Sequence, residues 1–261
     1  MYSSSLYKIK PLDRRNIENI ANDEIWVPQA SSLNDPYDCS ILPHLKTDIE
    51  INELQELLNE LANEAEIFNH VVNAEYFEAK SKQDKNWIAH QTVCQRIKSI
   101  GILSFIDTPY NIVTWSHYGN EHKGICIEFS PVSDNYLERF KIYLGGYRLQ
   151  SVSYTNNIPR IDWHEFLRSP RILLEIILRT KFRDWSYENE SRIITYNESG
   201  NKALKLEKLG LKMTKVFVGC EVEESDELAL LEDVCTRKNI PLQKLERLHY
   251  SYGLQNMECY E

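Results

Sequence analysis

The chain has 261 residues, 42% of them hydrophobic and 11% aromatic, with a formal net charge of −9. The aromatic content excludes an intrinsically disordered chain, and no segment approaches the ~18 consecutive apolar residues that a membrane-spanning helix needs. The amino-terminal segment has no apolar stretch typical of a signal peptide, so we expect a cytoplasmic protein with no membrane partner.

Short apolar segments bounded by Pro or polar residues predict the first elements of the chain. Residues 5–11 predict a strand that ends at Pro11, and Glu24–Val27 predict a second strand that ends before Pro28. Between them, residues 13–22 carry isoleucines at helical spacing and predict a helix. The segment NDPYD at 34–38 predicts a structured turn, because Asn and Asp bond their own backbone and Pro fixes φ.

The segment 47–100 has a different texture and predicts helices. Its apolar residues recur every three or four positions at Ile51, Leu54, Leu58, Leu61 and Ala65, the spacing of one buried stripe. Residues 48–66 also contain seven acids and no Lys or Arg. We therefore expect a helical insertion at 47–100, with its acidic faces outward, inside a single domain that spans residues 1–261.

After Gly101 the apolar segments become short, which predicts a chain rich in strands. The predicted strands are 102–105, 124–129, 140–144, 147–154, 191–196, 203–206, 215–219 and 242–248, and the predicted helices are 161–179 and 221–237. Strands with few helices between them favour an α+β fold with a mixed or antiparallel sheet. The chain has only nine Gly and no Gly-rich phosphate loop of either common type.

Positive charge is concentrated in residues 160–183. Six basic residues lie there: Arg160, Arg168, Arg171, Arg179, Lys181 and Arg183. The overall negative charge argues against non-specific nucleic-acid binding by the whole surface, but a run of this kind permits a local phosphate site. The alternative interpretation is an ordinary solvated helix face.

The first polar cluster that could carry chemistry is the turn at 34–38. Asn34 and Asp35 either organise a rigid turn or bind a ligand. In the second interpretation, the carboxylate of Asp35 or Asp38 accepts hydrogen bonds from a ligand or orients a basic side chain.

The second cluster is the segment TWSHYGNEHKG at 114–124. Two His, a Trp and a Tyr beside two Gly indicate a loop that stacks an aromatic ligand and donates hydrogen bonds to it, through Trp115, His117 and Tyr118. The alternative places Trp115 and Tyr118 in the core and His122 on the surface. His117 and His122 are five residues apart and do not share a helical face, so we predict no metal site.

The third cluster surrounds the pair Glu188 and Glu190. In an extended backbone, side chains two residues apart lie on the same side of the strand. Two carboxylates placed in this way allow one to stay ionised near a developing cation while the other polarises a nucleophile. The alternative is that both are exposed and that Glu190 only pairs with Arg192 or Lys181.

These clusters, in this order, resemble a widespread bacterial family catalogued as a domain of unknown function. The motifs that carry the resemblance are LYK at 6–8, NDPYD at 34–38, WSHY at 115–118 and WSYENESRI at 185–193, and they span roughly residues 6–219. The motif order is also distantly similar to that of the ADP-ribosyltransferase superfamily, especially its DNA-modifying toxins. That second resemblance implies an ADP-ribosyltransferase-like fold with NAD as the substrate.

The same resemblance implies a role for each matching residue. Lys8, beside Tyr7, stands where the superfamily has Arg or His on its first strand. His117 and Tyr118 correspond to the aromatic or Ser residue near a middle strand of the superfamily. Glu190 corresponds to the Glu at a late strand. Glu190 would stabilise the cationic ribose, Glu188 would orient or deprotonate the acceptor, Tyr118 or Trp115 would stack nicotinamide, and Lys8 or Arg192 would hold the pyrophosphate. Tyr7, Asn34 and Asp35 complete the expected NAD-binding set.

Three functions remain open from the sequence. The first is this transferase, expected as a toxin or antiphage effector that modifies a nucleic acid or a protein and has an antitoxin or defence-system partner. The second is a non-catalytic nucleotide-sensing or interaction module of a defence system. The third is a metal-dependent nuclease with oxygen ligands from Asp35, Asp38 and Glu190.

Overall fold

A computed structural model describes residues 5–40, 42–44, 97–98, 100–132, 149–162 and 170–257. The predicted helical insertion at 47–100 lies outside the described residues except at its carboxyl end, and the predicted strand at 140–144 lies outside them too. Among the described residues, no helix is long and apolar enough to span a membrane.

The larger sheet has five strands. They are β1 (Leu6–Pro11), β5 (Gly124–Pro131), β12 (Leu211–Val218), β13 (Leu242–Arg247) and β14 (Leu254–Asn256), in the order β1-β5-β12-β13-β14. The pairs β1–β5, β5–β12 and β13–β14 are antiparallel, whereas β12–β13 is parallel. The parallel pair needs a crossover, which helix α5 (Asp226–Lys238) supplies.

The second sheet has three antiparallel strands. They are β4 (Ile100–Phe105), β10 (Ser191–Ser199) and β6 (Leu149–Ser151), in the order β4-β10-β6. A bridge between Tyr7 of β1 and Ile106 joins this sheet to the larger one: Tyr7 N donates to Ile106 O at 3.0 Å, and Ile106 N donates to Tyr7 O at 2.9 Å. The junction brings the first strand of the chain next to the beginning of β10.

Three two-stranded sheets complete the β structure of the described residues. They are β2 (Glu24–Val27) with β11 (Lys202–Lys205), β3 (Leu42–His44) with β8 (Arg160–Asp162), and β7 (Ser153–Thr155) with β9 (Thr180–Phe182). The first pair is antiparallel and the other two are parallel.

The remaining helices in the described part of the chain are short. They are α1 (Arg14–Ala21), α2 (Ile112–Tyr118), α3 (Pro170–Leu178) and α4 (Leu206–Leu209), with 3₁₀ turns at Ala30–Ser32 and Arg183–Glu188. Asp13 caps α1 by accepting from Asn16 N, and Asn111 caps α2 by accepting from Val113 N and Thr114 N. Asp and Asn side chains satisfy free amide groups at helix starts, which explains where both helices begin.

Apolar side chains from both sheets form the core. The rings of Phe105 on β4 and Phe129 on β5 meet edge to face with centroids 5.6 Å apart. Ile17 and Ile20 bury one face of α1 against this core, as their spacing indicates. Burial of such side chains contributes about 1.5–3 kcal/mol each and holds the junction of the sheets in place.

The predicted α+β class with a mixed sheet and few helices is confirmed, as are the early strand–helix–strand unit and the helix within 221–237. Two predicted elements are wrong in part. Residues 161 and 162 of the predicted helix at 161–179 belong to β8 (Arg160–Asp162), and the described helix is Pro170–Leu178. The predicted strand at 147–154 divides at Val152, because Val152 N donates to Glu190 O while Ser153 N turns to Arg179 O.

Candidate functional site

Glu188 and Glu190 meet at the ammonium group of Lys181 on β9. Lys181 Nζ lies 2.5 Å from Glu188 Oε2 and 3.0 Å from Glu190 Oε2. All three side chains are buried, so the interpretation of the two carboxylates as an exposed surface pair is wrong. Because a buried charge is tolerated only when it is paired, the three groups depend on one another.

The two carboxylates converge by a route that differs from the predicted extended backbone. Glu188 ends the 3₁₀ helix, Asn189 adopts a left-handed conformation with φ 43°, and β10 begins at Ser191. Asn is among the few residues that accept this conformation readily. One left-handed residue therefore turns Glu188 and Glu190 toward the same partner.

Arg192 holds the other side of Glu190. Its Nε donates to Glu190 Oε1 at 2.6 Å, and its Nη2 donates to Glu190 Oε2 at 3.1 Å. The Nη1 and Nη2 groups also donate to Asp38 Oδ1 and Oδ2 at 2.8 and 2.6 Å, and Nη1 donates to the Leu178 carbonyl at 2.8 Å. These contacts use all five guanidinium donors, so Asp38 orients a basic side chain, one of its two expected roles.

The environment separates the acidities of the two carboxyl groups. Burial raises the pKa of Glu190, but the charges and hydrogen bonds of Arg192 and Lys181 outweigh it and lower that pKa to about 2. The pKa of Glu188 is raised above its usual value, because the effect of burial is larger than the opposing effects of Lys181 and Tyr118. Glu190 is thus a firmly ionised group, whereas Glu188 is the better proton acceptor near neutral pH.

These directions predict an acid-dependent loss of stability that comes from Glu190. A carboxyl group with a lowered pKa contributes stability above its unfolded pKa, about 4.3, and loses it as pH falls toward its folded pKa of about 2. The raised pKa of Glu188 has the opposite sign. We expect the difference in free energy of unfolding between wild type and Glu190→Gln, measured in urea, to shrink from pH 5 to pH 3; a constant difference would contradict the assigned ionisation.

Tyr118 connects helix α2 to the carboxylates. Its hydroxyl donates to Glu188 Oε1 at 2.6 Å and accepts from Asn34 Nδ2 at 3.3 Å. Burial and the Glu188 charge raise the pKa of Tyr118, so its phenol stays a proton donor. The segment at 114–124 is helical through Tyr118 and not the predicted loop, and this helix aims the phenol at Glu188.

A cavity of about 760 Å³ opens over these groups. We define its inner end by the buried residues Lys181, Glu188, Glu190 and Arg192 together with Ser104 and Tyr118 beside them. We define its outer end by the half-buried or exposed residues Lys10, Asp13, Arg15, Asn16 and Trp26. Tyr7, Lys8, Asn34 and Asp38 also line it. The volume falls within the range of pockets that bind small molecules and cofactors.

Lys8 joins the first strand to the carboxylate end of the cavity. Its Nζ donates to Ser104 O at 2.7 Å. Burial and the charge of Lys10 lower the pKa of Lys8 well below its usual value, against the opposing effects of Glu190 and Glu188. Tyr7 points to the opposite face of β1, where its ring lies 6.2 Å from that of Phe217, yet part of the residue still lines the cavity.

Basic and aromatic groups mark the outer end of the cavity. Lys10 lies on the same face of β1 as Lys8, two residues further along the strand. Its charged neighbours are Arg15 and Asp13, whereas those of Lys8 include the two carboxylates. The Arg15 guanidinium stacks on the Trp26 ring, 3.7 Å from its centroid.

Three of the predicted site residues lie away from this cavity. Trp115 is fully buried in the core, where its Nε1 donates to Pro109 O at 2.6 Å. His117 packs its ring near those of Trp185 and Tyr187, at centroid distances of 5.5 and 6.3 Å. Asp35 lines a second, smaller cavity.

Lys181 is the central residue whose role the sequence interpretation missed, because it placed Lys181 in the basic run at 160–183 and named it as a surface ion-pair partner of Glu190. It is one basic residue in a run of six, and the five others carry no signal that separates them from it. The sequence signal that could have found it is its place between the apolar end of helix α3 and the 3₁₀ turn, in the short strand β9 whose middle residue is buried.

Two of the three residues expected as metal ligands, Asp38 and Glu190, are already bonded to a cation. Asp38 and Glu190 share Arg192, and Asp35 lines the other cavity. Among residues 5–40, 42–44, 97–98, 100–132, 149–162 and 170–257, no three His, Cys, Asp or Glu side chains lie together in a way that could hold a metal ion.

Comparison with known proteins identifies one family. No curated protein and no solved structure matches the chain. Residues 114–193 match the model of a family described as "Protein of unknown function (DUF2971)". The matched part is less than a third of the chain and contains Tyr118, Lys181, Glu188, Glu190 and Arg192. The segment that carries most of the charged cluster is therefore similar to a protein family of unknown function.

Proposed function

We propose that the chain is an NAD-dependent ADP-ribosyltransferase, which breaks the bond between nicotinamide and ribose and transfers ADP-ribose to an acceptor. The observation that carries the proposal is the convergence of three distant parts of the chain on one cavity. Lys8 comes from the first strand, Tyr118 from a middle helix and Glu190 from the start of a late strand. That is the order of the three places in the superfamily that the motifs resemble, with Lys8 where the superfamily has Arg or His.

The distribution of charge along the cavity supports a dinucleotide of this kind. NAD has a cationic nicotinamide ring at one end and an anionic pyrophosphate near its middle. The inner end of the cavity holds the carboxylates of Glu188 and Glu190, and the outer end holds Lys10 and Arg15. Nicotinamide riboside at the inner end would lie beside these carboxylates, which Lys181 and Arg192 already pair, and pyrophosphate at the outer end would meet the positive charges of Lys10 and Arg15.

Glu190 has the properties that ribosyl transfer requires. As the bond between ribose C1′ and the nicotinamide nitrogen breaks, its electron pair leaves with nicotinamide and positive charge develops on the ribose. A carboxylate that is ionised and fixed beforehand stabilises this charge without reorganisation. Glu190 is fixed by Arg192 on one side and Lys181 on the other, and its pKa of about 2 keeps it ionised.

Glu188 is the candidate base for the acceptor. The lone pair of the acceptor forms the new bond to C1′, and the proton of the acceptor must leave. The raised pKa of Glu188 makes it the better proton acceptor of the pair. Its Oε1 already accepts a hydrogen bond from the Tyr118 hydroxyl. Because Arg192 has no free donor, and because Lys8 lies at the carboxylate end with a lowered pKa, we assign pyrophosphate binding to Lys10 and Arg15.

The test is the steady-state kinetics of nicotinamide release from NAD. Lys10→Ala and Arg15→Ala are each expected to raise KM for NAD by about tenfold with kcat within about twofold, because they remove binding common to the ground and transition states. Lys212→Ala, which removes an exposed lysine elsewhere, is the matched control and should leave both constants unchanged. Unchanged KM values in both cavity variants would contradict this orientation of NAD.

A further inference from the structure

Two lysines at the carboxylate end of the large cavity have different partners. Lys181 Nζ lies 2.5 Å from Glu188 Oε2 and 3.0 Å from Glu190 Oε2. Lys8 Nζ donates instead to a neutral group, the carbonyl of Ser104, at 2.7 Å. Among the residues that the structure describes, no carboxylate forms an ion pair with Lys8. The amine of Lys8 is therefore positioned by a carbonyl and not by a counter-ion.

The surroundings of Lys8 favour its neutral amine. Its Nζ lies 5.9 Å from the centroid of the buried Phe105 ring. Burial and the charge of Lys10 lower the pKa of Lys8 well below its usual value, although the charges of Glu190 and Glu188 oppose them. An ordinary lysine has a pKa of about 10.4, so only about one molecule in a thousand is neutral near pH 7.4. The neutral form alone has the lone pair with which an amine attacks an electrophilic carbon.

Lys8 is also open to the cavity and lies near groups that transfer protons. Its side chain is half-buried and lines the cavity. The hydroxyl of Ser104 hydrogen-bonds Glu190, while the carbonyl of Ser104 accepts from Lys8, so Ser104 joins the amine to the carboxylates. The same end of the cavity holds a proton acceptor with a raised pKa, Glu188, and a phenol that stays a donor, Tyr118.

Positive charge lies beyond Lys8 on the same strand. Lys10 is on the same face of β1, about 7 Å further along the strand, and Arg15 is its charged neighbour. Lysine and arginine are the side chains that proteins use to bind phosphate. The cavity therefore combines a nucleophilic amine with a phosphate site, and it suits a molecule that has an electrophilic carbon at one end and a phosphate at the other.

We propose that Lys8 is the nucleophile of a covalent site, where its amine forms an imine with the open-chain aldehyde of a phosphorylated sugar. The lone pair of Nζ forms the new bond to the aldehyde carbon, and Lys10 and Arg15 hold the phosphate. The nitrogen loses two protons and the aldehyde oxygen gains two, so the oxygen leaves as water and no other reactant is needed. Glu188 accepts protons from the nitrogen, and the Tyr118 hydroxyl, which it hydrogen-bonds, delivers them to the oxygen.

This covalent site goes beyond the proposed transferase function and does not need NAD. ADP-ribose, the product when water takes the place of the acceptor, is itself a phosphorylated sugar whose free ribose opens to an aldehyde. A sugar bonded to Lys8 would occupy the carboxylate end of the cavity, where we place nicotinamide riboside. Phosphorylated sugars would therefore compete with NAD for the same space.

The experiment is reductive capture of sugars by the wild-type protein near pH 7.4, without NAD and with cyanoborohydride to reduce the imine. Ribose 5-phosphate, ADP-ribose and ribose are tested separately, and mass spectrometry of peptides gives the rate of modification at each lysine. With a phosphorylated sugar, Lys8 should react at least about tenfold faster than Lys212, an exposed lysine elsewhere, because more of its amine is neutral. Lys8 should also react at least about fivefold faster with a phosphorylated sugar than with ribose, because Lys10 and Arg15 bind the phosphate.

The two phosphorylated sugars distinguish the sources of the ligand. Faster capture of ADP-ribose would identify the product of the proposed reaction, and faster capture of ribose 5-phosphate would identify an independent sugar phosphate. Either result supports the covalent site. A rate at Lys8 no higher than at Lys212, or equal rates at Lys8 with ribose and with both phosphorylated sugars, would overturn the proposal.

Two variants test the phosphate site separately from the amine. The double variant Lys10→Ala/Arg15→Ala keeps Lys8, and its capture of ribose 5-phosphate should fall to the rate with ribose. Arg14→Ala removes the adjacent exposed arginine, which lies near Glu227, and should keep the preference for the phosphorylated sugar. An unchanged preference in the double variant would overturn the proposal.

Added NAD separates this site from the proposed function. Millimolar NAD should slow the capture of sugars at Lys8, because both ligands would occupy the carboxylate end of the cavity. Selective capture at Lys8 that NAD does not slow, with no nicotinamide release, would overturn the transferase and leave the covalent site standing. Nicotinamide release without selective capture at Lys8 would do the reverse.

Discussion

Arg192→Met is expected to lower the free energy of unfolding by about 3–5 kcal/mol, the largest effect on stability that the charged cluster predicts. Arg192 is fully buried and is the direct partner of the Asp38 and Glu190 carboxylates. Methionine fills a similar volume but leaves Asp38 without its cation and Glu190 with Lys181 alone. Urea unfolding at pH 7 measures the change.

Two comparisons isolate the cause of that loss. Arg237→Met removes an exposed arginine that pairs with Asp233 four residues earlier, and it should cost less than about 1 kcal/mol. Arg192→Lys keeps the charge but lacks the five-donor fork, so it should fall between wild type and Arg192→Met. If Arg192→Met lowers the free energy of unfolding no more than Arg237→Met does, the buried charged cluster does not stabilise the junction of the two sheets.

Glu190→Gln is expected to reduce kcat for nicotinamide release by about 10²–10³-fold, the usual effect of removing one fixed group that stabilises charge in a transition state. The KM for NAD should change little, because Lys10 and Arg15 bind the opposite end of the dinucleotide. Glutamine has the same shape but has no charge to place against the ribosyl cation. Steady-state kinetics at pH 7 give both constants.

The control for this variant is Glu207→Gln, which removes the charge of an exposed glutamate and should leave kcat unchanged. Circular dichroism and the pH dependence of stability show whether Glu190→Gln remains folded. A folded Glu190→Gln protein with wild-type kcat would contradict the role of Glu190 at the ribose.

Local patterns predicted those parts of the site that depend on neighbours in the sequence. The alternation of β1 places Lys8 and Lys10 on one face, and the spacing of Ile17 and Ile20 places them on the buried face of α1. Glu188 and Glu190 also lie on the same side of the chain, as the sequence predicted, although the backbone between them is left-handed at Asn189 and not extended. In each case the relevant distance along the chain is two to four residues, which secondary structure controls directly.

Long-range pairing was less accessible from the sequence. Arg192 and Asp38 are separated by 154 positions, and only the sheet topology brings them together. The left-handed conformation of Asn189 changes the path of the backbone between the two glutamates. Because Asn also adopts other backbone conformations without strain, the sequence alone does not predict this one. The sequence prediction named three site residues in the segment 114–124, Trp115, His117 and Tyr118. Consecutive residues of a helix face different directions, and of these three only Tyr118 lines the cavity.

The most direct test of the proposed function is nicotinamide release from NAD by the purified wild-type protein, detected by chromatography. The reaction is run without an acceptor, with single-stranded nucleic acid and with cell lysate. We expect release that depends on the wild-type protein and accelerates with an acceptor, accompanied by a rise in Tm when NAD is added, since a ligand that binds the folded state stabilises it. No release under any of these conditions, together with an unchanged Tm at millimolar NAD, would show that the cavity between the two sheets does not bind or cleave NAD.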